Sequence, residues 1–67
     1  MRNPDPRAFR KWSAIARRAS LGGLERLLMR SVRQAAGARS ESARAYKLTT
    51  AEVIRRELDR RVLGGRG

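Results

Sequence analysis

The chain is expected to fold as an all-α bundle of three to four helices with no sheet, and three observations carry that expectation. Apolar residues recur at spacings of three and four along most of the 67 residues, the pattern that gives a helix one buried stripe. No stretch of useful length alternates apolar and polar residues as a half-buried strand does. Proline and glycine fall where helices would begin or end: Pro4 and Pro6, Gly22 and Gly23, Gly37, and a cluster from Gly64 onward.

Residues 1–5 form an extended lead-in, with Asp5 as a cap and Pro6 at the first helical position, where a missing N–H costs nothing. A first helix from Pro6 to about Ala19 carries Phe9, Trp12, Ile15, Ala16 and Ala19 on one face. Arg7, Arg10, Lys11, Arg17 and Arg18 fall largely off it. At this spacing Phe9 and Trp12 are read as core anchors in preference to base-stacking platforms. Leu21-Gly22-Gly23 is expected to stop that helix, because glycine accepts a left-handed cap conformation at no steric cost.

A second helix beginning at Leu24 repeats Leu24, Leu27, Leu28, Val32 and Ala35. It should break near Gly37, where glycine costs about 1 kcal/mol relative to alanine, or else run on through Tyr46. Ser40 is a suitable N-cap for a short helix from Glu41 to about Tyr46, and Lys47-Leu48-Thr49 is expected to turn the chain. Thr49 followed three residues later by Glu52 has the form of a capping box for the last helix, Thr50 to about Leu63. Val53, Ile54, Leu58, Val62 and Leu63 are its stripe. Residues 6–63 then form one domain, and 64–67 a flexible tail.

Composition bounds the function. A chain of 67 residues buries only about 60% of the surface its unfolded form exposes, so a homodimer, or docking on a larger protein, would add stability. Without cysteine there is no disulfide, and without cysteine or histidine no zinc, Fe–S or haem ligation of the usual kinds, so no metal or cofactor is expected. Ser13, Ser20, Ser31, Ser40 and Ser42 have no histidine to activate them, and Glu52, Glu57 and Asp59 are occupied by capping and helix pairing. The expectation is a protein that is not an enzyme.

The net charge of +11 and a pI near 11.9 set self-repulsion against the compact state unless a polyanion is near. All basic residues except Lys11 and Lys47 are arginine, whose planar fork matches phosphate oxygens in a bidentate way. No segment has the roughly 18 apolar residues of a membrane span or the short apolar core of a signal peptide. The cytoplasm, the nucleoid or a nucleoprotein particle are the compatible locations.

Residues 39 to 58 resemble the helix-turn-helix of DNA-binding proteins. Ala43 is small where two helices would cross, Tyr46 closes the first, Leu48 lies in the turn, and Val53 and Leu58 point inward on the second. The match departs at Lys47, where glycine is usual. That resemblance implies a second helix in the major groove, with Thr50, Ala51, Arg55 and Arg56 toward bases and Arg44, Lys47 and Arg60 toward phosphates. Arg17 and Arg18 on the first helix would add phosphate contacts. The helix order is also similar to a histone fold, with Tyr46 to Ala51 as the second loop, where basic residues and threonine meet phosphates. Both resemblances imply duplex DNA; the alternatives are a small RNA-bound ribonucleoprotein component and a basic subunit that meets acidic proteins.

Overall fold

The computed structural model describes residues 5–64 and contains, among them, three helices and no strand. They are α1 (Pro6–Arg18), α2 (Leu21–Ala36) and α3 (Glu41–Gly64). The all-α expectation therefore holds, with three helices. The lead-in at 1–4 and the tail at 65–67 lie outside the described residues.

The first helix begins as its sequence suggests. Asp5 is extended and its carboxylate accepts from the Arg7 N–H at 2.9 Å, while Pro6 occupies the first turn. It ends at Arg18 because Ala19 and Ser20 are both extended and Ser20 caps the next helix, its hydroxyl accepting from the Gly23 N–H at 3.1 Å. The expected stop at Leu21-Gly22-Gly23 is thus corrected. Those residues are the first turn of α2, since a serine N-cap supplies an acceptor for an orphan N–H and makes a glycine cap unnecessary. No described glycine has positive φ. Gly37 does end α2, and Ser40 caps α3 by accepting from the Ala43 N–H at 3.1 Å.

The turn at Lys47-Leu48-Thr49 does not form. Residues 41–64 are one helix of 24 residues, about 36 Å long, and 47–49 lie in its interior. Neither proline nor glycine interrupts residues 41–63. The two threonines that suggested a helix start instead donate their hydroxyls to carbonyls four residues back, Thr49 to Ala45 O at 2.8 Å and Thr50 to Tyr46 O at 2.9 Å. The helix-turn-helix geometry over 39 to 58 and the histone-like loop at Tyr46 to Ala51 fall with that turn.

The long helix is the axis of the molecule, and both other helices pack on it. At one end of α1 the Asp5 N–H donates to Thr49 Oγ1 at 3.0 Å; at the other, Arg61 Nη2 donates to the carbonyls of Ala16 (2.9 Å) and Arg17 (3.1 Å). Hence α1 runs parallel to the C-terminal half of α3, and Arg61 caps the end of α1, sharing the Ala16 carbonyl with the Ala19 N–H and donating to that of Arg17. Through the 37–40 connection, α2 returns along α3 as an antiparallel hairpin.

Ala16, Leu24, Val53 and Ile54 form the buried centre, one or two residues from each helix, with Trp12, Ala19, Leu27, Leu28 and Leu58 packed around them. Trp12 is the core anchor expected of it, although its buried indole N–H has no hydrogen-bond partner. Phe9 is not: it is 43% exposed beside α3.

Candidate nucleic-acid interface

Charge is distributed unevenly over the helices. Within α1, Arg7, Arg10, Lys11, Arg17 and Arg18 face no carboxylate of their own helix; the cap Asp5 lies 3.5 Å from Arg7, and Glu57 of α3 lines the groove beside Arg17. Helical spacing sorts these cations into two rows. Arg10 and Arg17 lie seven residues apart on one edge; Arg7, Lys11 and Arg18 share the other. Exposed Ala14 lies between the rows, so nothing bulky holds a ligand off the helix backbone. All five cations are exposed, and the Lys11 Nζ sits 5.7 Å from the Trp12 ring centroid.

Along α3 three of the six cations are held by carboxylates of the same helix. Arg56 binds Glu52 at 2.9 Å. Glu57, whose side chain is only 9% exposed, holds Arg60 at 2.6 Å and Arg61 at 2.8 Å. Those two hydrogen-bonded guanidiniums, Arg60 first, hold the Glu57 carboxyl at about 2, well below its ordinary 4.5. Glu57 therefore stays ionised at any physiological pH and fixes the guanidinium that closes α1. Because its pKa is depressed on folding, its stabilisation is complete above about pH 4.5 and is lost as pH falls toward 2. Glu57→Gln is expected to lower the thermal midpoint at pH 7 and to flatten its fall between pH 5 and 2. Melting curves across that range check this, and equal pH profiles for both proteins would contradict it.

The residues expected to contact nucleic acid separate into four groups. Arg17 and Arg18 stand exposed on α1. Arg44 and Arg55 are exposed on the outer side of α3, with no ion pair to any described carboxylate. Arg56 and Arg60 are exposed but tied to acids of their own helix. Lys47 is half-buried, and Thr50, at 2% exposure, is inside the protein and reaches no base. Ala51, likewise assigned to a base edge, is also buried. A base-reading surface at the start of a recognition helix is therefore absent from this stretch.

Arg7, Arg10 and Lys11 lie outside the helix-turn-helix resemblance, which drew the expected site toward α3. The signal lay in the sequence all the same: no acid occurs between Pro6 and Arg18, whereas acids and arginines alternate from Glu52 to Arg61. A shallow groove of about 170 Å³ separates α1 from α3, with Phe9, Ala16 and Val53 as its apolar wall and Arg17, Arg56 and Arg60 at its margin. Of these three arginines, Arg17 alone is not held by a described carboxylate. No helix is long and apolar enough to cross a membrane among the described residues.

Comparison with known proteins gives no match: no family model, curated protein or solved structure is similar to this chain.

Proposed function

We propose that this protein is a non-enzymatic nucleic-acid-binding module that grips the phosphate backbone of a duplex, DNA foremost, through the exposed face of α1. The observation that carries this reading is the set of five cations on one helix, four of them in no ion pair with a described carboxylate. Two rows of guanidinium and ammonium groups flanking a small residue suit a regularly charged backbone approaching along the helix. The paired arginines of α3 and the burial of Thr50 argue against base recognition, so the binding is of low sequence preference.

Fluorescence anisotropy of a labelled duplex at salt concentrations from about 0.05 to 0.3 M tests the reading. If the five α1 cations each neutralise a phosphate, log K falls with log salt at a slope of about −4 to −5, alike for unrelated sequences. An affinity that barely responds to salt would overturn it. Structured RNA displacing the duplex at stoichiometric amounts would reassign the ligand to a ribonucleoprotein.

A further inference from the structure

The side of α3 turned away from α1 has a different character. Helical spacing places Arg44, Leu48, Arg55, Asp59 and Val62 along it, and all five are exposed. Glu41 and Glu52 border it on α3, and Glu25 borders it on α2. Four of the chain's six carboxylates therefore gather here against three guanidiniums, Arg44, Arg55 and the Arg56 that holds Glu52, on a protein whose net charge is +11. Large apolar side chains are exposed at both ends. Met29 (64%), Val32 (51%) and Leu48 (38%) lie toward one, and Val62 (61%) and Leu63 (76%) toward the other.

We propose that this face is the interface of a two-fold homodimer in which α3 packs antiparallel against α3 of a second copy. Charge complementarity selects a second copy as the occupant. An antiparallel two-fold centred near Ala51 and Glu52 sets Arg44 against Asp59 of the partner subunit, a pair made twice by symmetry. The same operation carries the Val62–Leu63 end of one copy toward the Met29–Val32–Leu48 end of the other, so each apolar end is covered by its opposite. Every other face presents excess positive charge to a second copy and repels it. A single domain of this size has little core of its own, and association supplies the apolar burial it lacks. The two α1 faces remain outward in such a dimer.

Sedimentation equilibrium on the intact chain at about 0.3 M salt, where exposed charges are screened beyond a few ångströms, tests the interface by charge exchange. Arg44→Asp and Asp59→Arg each set like charges against one another twice and should weaken dimerisation about tenfold or more, with helix content unchanged. The combined R44D and D59R variant restores opposite charges and returns the dissociation constant to within about threefold of the parent. Leu48→Glu, at a site already exposed, should yield a folded monomer. A folded parent chain that stays monomeric to roughly 1 mM, or single variants that dimerise as well as the parent, would overturn the proposal and leave the face to a protein of another sequence.

Discussion

Replacing Arg10, Lys11, Arg17 and Arg18 together by glutamine is expected to weaken duplex binding by two to three orders of magnitude near 0.15 M salt, and to lower the steepness of its salt dependence by about 3.6. Each phosphate neutralised contributes about −0.9 to the slope of log K against log salt, so four lost contacts set both numbers. Glutamine is a good helix former and all four side chains are exposed, so α1 should remain folded. A two-charge change on the long helix, Arg55 and Arg56 to glutamine, is expected to cost less than about tenfold, because Arg56 is already engaged by Glu52 and Arg55 lies on the opposite side of α3 from α1. Anisotropy titrations of both variants against one duplex decide between the helices. Equal losses per charge removed, four against two, would show that only total charge matters and not its placement.

The second large effect is on the fold. Ile54 has no exposed surface and sits in a four-residue centre with Ala16, Leu24 and Val53. Truncating such a side chain to alanine costs about 2–5 kcal/mol, the lost transfer energy plus the cavity left behind. A domain of this size rarely has more than about 3–5 kcal/mol in total. Ile54→Ala is therefore expected to be largely unfolded at 25 °C, seen as loss of helical circular dichroism and of a cooperative melt. Duplex in excess should partly restore helicity, since a ligand that binds only the folded state shifts the balance toward it. A variant that melts within a few degrees of the parent would mean that the helices are held chiefly by something other than this centre.

The helix stripes, the Asp5 and Ser40 caps and the break at Gly37 were legible because each rests on a local preference that nothing in the tertiary structure opposes. The 47–49 segment was not, since threonine has two local options that look alike in sequence. It can cap a helix start, or it can return its hydroxyl to a carbonyl one turn back. Here the choice is settled by partners far away in the chain: Thr49 also accepts from the Asp5 N–H, 44 residues distant, and Thr50 is buried in the packed helices. Serine at position 20 hid α2's true start in the same manner, because the adjacent glycines read more strongly as a stop.

At the candidate site, the surplus of charge was plain from composition, but its address was not. Pairing at i and i+4 was readable for Glu52 with Arg56 and for Glu57 with Arg61. That Glu57 also holds Arg60, and that Arg61 spans to the end of α1, required the three-dimensional arrangement. These pairings leave Arg44, Lys47 and Arg55 as the cations of α3 without a described carboxylate, against Arg10, Lys11, Arg17 and Arg18 on α1.

The location of that charge is tested most directly by following the arginine side-chain Nε–Hε resonances of the labelled protein as duplex DNA is added. Arg7, Arg10, Arg17 and Arg18 are expected to shift and broaden together while Arg44, Arg55 and Arg56 stay nearly unmoved. Shifts confined to the arginines of α3, with α1 unaffected, would contradict it.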